Sequence, residues 1–259
     1  MGTTLDLVER PGSSILRSRR RFAMTLKDYR AKRKFSETPE PVGRARRSSR
    51  TRMFVVQKHR ASHLHYDFRL AIDGVLVSWA MPKGPSMNPA EKHLAIRTED
   101  HPLEYAEFEG VIPDGQYGAG TVMVWDKGTY DTKDGVPASE QLARGKLDVE
   151  LDGAKLCGAF TLVRSGKRSA DPAAKEQWLL IKHRDEYADP SWDIESPEFD
   201  RSVLTGRTLK EIEEGVRERL AGSGGPMLEW RPLVSIANSP SIRNLPKRKI
   251  KSNRCGRRG

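Results

Sequence analysis

From Phe54 to Arg184 the chain is a succession of short β-prone runs separated by turn signals, and this rhythm constrains the fold more than any other feature. The runs are Phe54–His59, His65–Asp73, Val75–Met81, His93–Glu99, Thr121–Lys133, Lys146–Asp152, Leu156–Arg164 and Gln177–Arg184, rich in Val, Ile, Leu, Phe and Trp. Asp73-Gly74, Lys83-Gly84-Pro85, Asp114-Gly115, Lys127-Gly128 and Asp152-Gly153 supply residues that favour chain reversal. Eight strands without long intervening helices predict a mainly β, antiparallel barrel or sandwich. A helix is expected only toward the C-terminal side. There Leu209, Ile212, Val216 and Leu220 recur at helical spacing behind Thr205 or Thr208 as cap, with Glu211, Glu213 and Glu214 in the first turns.

Charge divides the chain along other lines. Residues 1–50 hold 14 basic and 5 acidic side chains, residues 231–259 hold 9 basic and none acidic, and the stretch between carries 23 against 30. Runs such as Arg17, Arg19, Arg20, Arg21 and Lys247, Arg248, Lys249 cannot bury themselves, so both ends read as basic flexible tails suited to a polyanion such as nucleic acid. The expected organisation is a basic N-terminal arm over 1–50, a β-barrel region over 51–200, a C-terminal helix over 201–221, and a linker with a basic tail over 222–259. No apolar stretch approaches the roughly 20 residues of a membrane span, and the first residues lack the apolar core of a secretory signal. A cytoplasmic, nucleoid-associated protein with no membrane contact is expected. Cys157 and Cys255 stand apart with no CxxC pair, which argues against a disulfide framework, a zinc knuckle and a dithiol redox site.

Five of the six histidines fall between positions 59 and 101. In the run from Lys58 to Leu70, an extended backbone places His65, Asp67 and Arg69 on one face and Leu64, Tyr66, Phe68 and Leu70 on the other. His63 continues the first parity and His59 lies just before it. Two imidazoles and a carboxylate supply neutral nitrogen and anionic oxygen suited to Mn²⁺, Fe²⁺ or Zn²⁺ with positions left open. A guanidinium beside such a set repels the metal unless an anion bridges the two, and phosphate matches the planar fork of Arg. His59, His65 and Asp67 are therefore candidate metal ligands and Arg69 a candidate phosphate clamp. The bland reading of the same residues is an Asp67–Arg69 ion pair with histidines packed at a rim.

Further along, Lys83 is held by a rigid turn and offers a second phosphate contact. His101 can protonate a leaving oxygen or orient a phosphate, with Tyr105 nearby as a hydrogen-bond donor. The Gly-rich stretch from Pro113 to Gly120 is not GxGxxG and precedes a strand, so a tight crossing beside the site is expected and not a nucleotide loop. His183, alone in an apolar strand, reads as structural.

These residues resemble a known family. Phe54-Val55-Val56-Gln57-Lys58-His59, Leu64-His65-Tyr66-Asp67-Phe68-Arg69-Leu70, Trp79-Ala80-Met81-Pro82-Lys83-Gly84-Pro85-Ser86, Glu99-Asp100-His101-Pro102-Leu103 and Phe108-Glu109-Gly110-Val111-Ile112-Pro113 are similar to the 3′-phosphoesterase domain of bacterial DNA ligase D, over about Tyr29 to Thr208. No adenylating or polymerase motif accompanies them, so the chain looks like a stand-alone member. The resemblance implies a compact antiparallel β-barrel with a few flanking helices, and Mn²⁺ as cofactor with other divalent ions able to serve. It implies removal of a 3′-terminal ribonucleoside and then of the 3′-phosphate, leaving a 3′-hydroxyl for ligation in non-homologous end joining. The metal ligands would be His59, His65 and Asp67, and the phosphate and transition-state residues Arg69, Lys83, His101 and Tyr105. Arg33 and Glu40 would serve the diester step from a substrate-proximal segment near 29–41, and His93 stands where the family often has an Arg. Lys34 replaces the Asp usual in that N-terminal element. DNA or RNA-tailed DNA 3′ ends in a primer-template are the implied substrates, and a DNA ligase and end-binding repair proteins the implied partners.

Two rival readings use the same residues. One is a non-catalytic basic-armed scaffold that docks a repair ligase at DNA ends. The other is an Fe(II)-dependent oxygenase in which His65, Asp67 and a distant His101 form the two-His, one-carboxylate set.

Overall fold

A computed structural model of the chain describes residues 26–43, 52–166 and 175–222, with side chains described as far as residue 215. Residues 1–25 and 44–51, which fall in or beside the expected N-terminal arm, and 223–259 of the expected linker and tail lie outside the described residues, whereas 26–43 of that arm are described and carry the buried Tyr29 and Glu40. The described part is mainly β, with ten strands: β1 (Met53–Arg60), β2 (Leu64–Ile72), β3 (Val75–Met81), β4 (His93–Arg97), β5 (His101–Pro102), β6 (Gly110–Ile112), β7 (Gly120–Thr132), β8 (Lys146–Gly153), β9 (Cys157–Arg164) and β10 (Gln177–Lys182). Eight of them follow one another around a ring, β1-β2-β3-β4-β10-β9-β8-β7, and β7 pairs back onto β1 to close an antiparallel barrel. Short β5 pairs with β3 and short β6 with β7, both outside the ring. Closure leaves the barrel wall without a free edge.

The strand with the most tasks is β7. It pairs with β6 over Gly120–Val122, with β1 over Thr121–Thr129 and with β8 over Gly128–Thr132. Lys127-Gly128, which the sequence suggests as a turn, instead lies inside this strand. A side chain at Gly128 would come within 2.0 Å of the Asp152 carbonyl, so the glycine permits a close backbone approach and does not reverse the chain.

Alternation decides which side chains fill the barrel. Phe54, Val56, Tyr66, Phe68, Leu70, Val77, Trp79, Met81, Met123 and Trp125 are buried together with Phe160, Leu162 and Trp178 from the far wall. Truncating a ring packed like Phe68 or Trp79 typically costs about 3–5 kcal/mol. Residues of the opposite parity point outward, yet on β1, β2, β3 and β7 they are covered. Val55, Ala71, Leu76, Val122 and Val124 form a second core with Tyr29, Tyr105, Ala106, Phe108 and Ile112. The cover comes from the N-terminal segment, the 3-10 turn Leu103–Glu107 and β6.

Three helices flank the barrel among the described residues: α1 (Lys27–Ala31), α2 (Ala138–Arg144) and α3 (Leu209–Gly222). The expectation of a helix only near the C-terminal side is thus corrected. α1 and α2 have 5 and 7 residues, too few for helical periodicity to stand out in sequence. For α3 the cap is Thr208: its hydroxyl accepts from the Glu211 N–H at 3.2 Å while Glu211 Oε2 accepts from the Thr208 N–H at 2.7 Å, a reciprocal capping box. The strap before α3 is pinned by Lys58, whose Nζ reaches Glu195 at 2.8 Å and Asp200 at 3.0 Å. No described helix is long and apolar enough to cross a membrane.

Candidate functional site

The antiparallel register of β1 and β2 sets His59 opposite His65 and Gln57 opposite Asp67, with Arg69 one pair further on opposite Val55. All of the polar members share the outward face, because Tyr66, Phe68 and Leu70 take the inward one. His59 Nδ1 lies 3.7 Å and His65 Nε2 3.8 Å from Asp67 Oδ2, and one ligand atom from each of the three lies within 4.8 Å of the others. His65 Nδ1 faces the His63 carbonyl at 3.0 Å, which turns Nε2 toward the carboxylate. His59 Nε2 is buried without a hydrogen-bond partner.

The geometry weighs against the bland reading: the His59 ring is 7% exposed and turns Nδ1, on the opposite side from the orphaned Nε2, toward the Asp67 carboxylate at a distance longer than a hydrogen bond. Burial raises the Asp67 carboxyl, but the Arg69 guanidinium and then the two histidines outweigh it and hold the group well below the usual carboxylate range. Two imidazole nitrogens and an ionised oxygen converging in this way fit a borderline divalent cation.

Behind the three stands Arg69, 3% exposed. Its Nη2 reaches Asp67 Oδ2 at 3.1 Å, its Nε donates to Gln57 Oε1 at 2.8 Å, and its Nη1 donates to Ser78 Oγ at 2.8 Å. The same Nη1 lies 2.8 Å from His101 Nδ1, which also faces the Glu99 carbonyl at 2.9 Å. On its other side His101 Nε2 faces Arg33 Nη2 at 3.3 Å. Burial, then Arg69 and Arg33, push His101 well below the ordinary imidazole value, so the ring is neutral at neutral pH. A neutral ring accepts at one nitrogen only. Two guanidinium donors competing for it leave an excess of N–H groups, suited to an anionic oxygen.

The N-terminal segment completes the cluster. Arg33 Nε pairs with Glu40 Oε1 at 2.8 Å and Nη1 with Glu99 Oε1 at 3.3 Å, while its plane lies 3.9 Å from the centre of the Tyr29 ring. Glu40 accepts from Tyr105 OH at 3.0 Å. Burial and then the Glu40 carboxylate push the Tyr105 phenol well above its ordinary value, so it remains a donor. A structure-wide consequence follows: Arg33 and Glu40, distant in sequence from the strands, touch the same buried network as Arg69, His101 and Tyr105.

Residues 57–164 match the DNA Ligase D 3′-phosphoesterase domain family. A multifunctional non-homologous end joining protein LigD of Pseudomonas aeruginosa is 44% identical over 229 residues, covering 83% of this chain and 26% of that protein. The corresponding DNA repair protein LigD of Mycobacterium tuberculosis is 50% identical over 138 residues, 53% of this chain and 18% of the relative. LigD of Mycolicibacterium smegmatis is 42% identical over 172 residues, 64% of this chain and 21% of the relative. The chain thus spans about a quarter or less of the length of these homologues.

The segment matching the phosphoesterase family begins at Gln57, a residue that sequence reasoning passed over. Gln57 is fully buried, donates through Nε2 to the Tyr105 and Phe108 carbonyls at 3.0 and 2.9 Å, and braces Arg69 through Oε1. Ser78, also passed over, receives Arg69 and donates to the Leu76 carbonyl at 2.9 Å. The available signal was an amide and a hydroxyl on the same parity as the other site residues in otherwise apolar strands. Two expected residues stand outside the buried network. Lys83 is exposed in the turn after β3. His93 opens β4, with Nδ1 2.5 Å from the Gly84 carbonyl and Nε2 3.1 Å from Glu91, so it shares the Lys83 turn. His183 Nε2 meets Thr161 Oγ1 at 2.6 Å on the far wall. The oxygenase reading took His101 as a ligand, and the structure sets that ring against Arg69 and Arg33.

Proposed function

We propose that this chain is a divalent-cation-dependent phosphoesterase that heals DNA 3′ ends, removing 3′-terminal ribonucleosides and 3′-phosphates to leave hydroxyls for a ligase in non-homologous end joining. The observation carrying this reading is the position of Asp67, whose Oδ2 meets two histidines at 3.7 and 3.8 Å and a buried guanidinium at 3.1 Å. Unloaded, Asp67 is the counterion of Arg69. A divalent cation among His59, His65 and Asp67 would leave the buried site net positive, and a phosphate restores the balance. Similarity to the LigD homologues supports the same substrate class.

When bound, the cation, Mn²⁺ in this reading, supplies Lewis acidity. The chain's own residues do the rest. Arg69 and His101 orient the phosphoryl oxygens, with Gln57 and Ser78 fixing the guanidinium in place before substrate arrives. The neutral state of His101 favours the orienting role over that of a standing proton donor. Arg33, anchored by Glu40 and thereby by Tyr105, presents a second guanidinium for the diester step. Lys83 and His93, outside the buried part, would contact phosphate from the turn after β3 and the start of β4.

The test is end processing on 3′-phosphate and 3′-ribonucleotide primer-templates with each of several divalent ions after metal stripping. Phosphate release that requires added ion and is lost in Asp67→Ala is the expected result. Release in the presence of chelator, or wild-type rates from Asp67→Ala, overturns the reading. Tight DNA-end binding with no turnover under any ion leaves the scaffold.

A further inference from the structure

Tyr117 has no place in the network described so far, and its position is unusual. It sits in the loop joining β6 to β7, where the Gln116 N–H bonds to the Pro113 carbonyl at 3.2 Å and the Ala119 N–H to the Gln116 carbonyl at 3.1 Å. The loop is fastened at both ends. Gln116 Nε2 donates to Glu37 Oε2 at 2.7 Å, tying it to the N-terminal segment. At Gly120, φ is +138° and a side chain would meet the Arg60 carbonyl at 2.2 Å, so only glycine lets the loop lie against the end of β1. A Cβ on Gly118 would lie 4.0 Å from His59 Cε1, which puts the residue after Tyr117 beside a candidate metal ligand.

On its other side Tyr117 meets the phosphate half of the site. Lys32 Nζ is 3.2 Å from its hydroxyl and 4.5 Å from its ring centre, and Arg33 Cζ is 5.6 Å from the same centre. Lys32 also pairs with Glu99 at 3.1 Å, the carboxylate that holds Arg33. The loop therefore lies beside His59 at Gly118 and brings the Tyr117 ring near the guanidinium that faces His101. The ring is nevertheless 44% exposed, the one aromatic among the large apolar side chains left exposed in the described residues.

We propose that Tyr117 is the stacking platform for the terminal nucleobase of the DNA 3′ end, with Lys32 set to neutralise the phosphates of that strand. The proposal rests on the phosphoesterase reading for the identity of the substrate. Base and 3′-phosphate of one nucleotide hang from the same sugar, so a phosphate held at Arg69 and His101 brings its own base to the rim of the site. Tyr117 is the flat surface at that rim. Stacking on an aromatic face is sequence-tolerant, since every base has a π face. An end-healing enzyme that must accept any terminal base needs that tolerance.

Two measurements test it. In the first, turnover of a 3′-phosphate end carrying a normal terminal base is compared with that of an end whose last nucleotide lacks the base. Wild type and Tyr117→Phe should prefer the base-bearing end, and Tyr117→Ala should shrink that preference through KM by about 5- to 150-fold, the range for loss of one base stack. In the second, 2-aminopurine as the terminal base reports stacking without turnover. Its fluorescence should be quenched on binding wild type or Tyr117→Phe and not on binding Tyr117→Ala. An unchanged preference and unchanged quenching in Tyr117→Ala overturn the proposal. Quenching by a wild type that hydrolyses neither end leaves the platform standing and sinks the phosphoesterase reading instead.

Discussion

Asp67 and Asp126 are both buried carboxylates on the barrel wall, and their partners could hardly differ more. Asp126 accepts only backbone N–H groups: Oδ1 takes those of Lys127, Ala154 and Lys155 at 2.9 to 3.1 Å, and Oδ2 takes that of Leu156 at 2.9 Å. Among the described residues it forms no ion pair, and burial pushes it up to about 6 despite those bonds. Asp67 has no backbone partner in its surroundings and meets Arg69 at 3.1 Å and two imidazoles at 3.7 and 3.8 Å. Its charge is held in place while its lone pairs are not used up. A carboxylate saturated by main-chain donors fastens a turn, here the one between β8 and β9. One kept ionised by side chains at loose distances is free to take a ligand.

The sharpest way to break this contrast is to remove each carboxylate in turn. Asp67→Ala should lower phosphate release by at least about a thousandfold, and the rise in Tm that Mn²⁺ gives the wild-type protein should vanish with it. Thermal melts with and without the ion, run beside the end-processing assay, check both. A metal-induced rise that survives in Asp67→Ala would separate Asp67 from the cation. Asp126→Ala should act on stability. Four N–H groups lose their acceptor, of which only that of Leu156 belongs to a buried residue, so denaturant unfolding should show a loss of about 1–3 kcal/mol, while the protein that remains folded keeps its metal response. Equal stability in the two forms would mean that water or rearrangement satisfies the turn and that the comparison is misdrawn.

Acid should separate the two carboxylates without mutation. Asp126 has a folded-state value near 6 and an unfolded value near 3.9. Between those limits the folded protein holds a proton that the unfolded chain has released, so its contribution to stability falls by up to about 3 kcal/mol as pH rises from about 4 to about 6, then stays level. The depressed value of Asp67 works the other way: its contribution is complete above about pH 4 and is lost as pH drops further. Unfolding measured across this range in wild type and in Asp126→Asn should show the downward limb only in the former. A limb of the same size in both would assign it elsewhere.

How much of this was legible in the sequence follows from which interactions are local. The alternation from His65 to Leu70 placed His65, Asp67 and Arg69 together, because a strand's parity is a property of consecutive residues. Turn residues gave the strand rhythm, and from it a β-rich antiparallel architecture. What parity could not say is that the outward face is roofed. The roof is made by the N-terminal segment, Leu103–Glu107 and β6, which contribute Tyr29, Tyr105 and Phe108 from remote positions. Arg33 and Glu40 were placed near the site by family resemblance alone, since only tertiary packing carries them to His101 and Tyr105. Gln57 and Ser78 went unnoticed because a lone amide or hydroxyl in a strand is ordinary until a guanidinium is found bonded to it.

Gln57 offers the finest test of the contrast, since it asks whether the loose arrangement around Asp67 depends on a rigid one behind it. Leucine has nearly the same volume, so Gln57→Leu should keep the packing while removing the acceptor of Arg69 Nε and the donors to the Tyr105 and Phe108 carbonyls. A guanidinium freed on one side no longer presents its charge at a fixed place. Supporting residues of this kind typically account for about 10- to 100-fold in activity. The loss should fall on kcat, with the Mn²⁺ midpoint moving by less than about threefold, because His59, His65 and Asp67 keep their own positions. A shift in the midpoint as large as the loss in kcat would show that Gln57 holds the ligands themselves, and that the outward face of β1 and β2 behaves as one unit with no separate metal and phosphate halves.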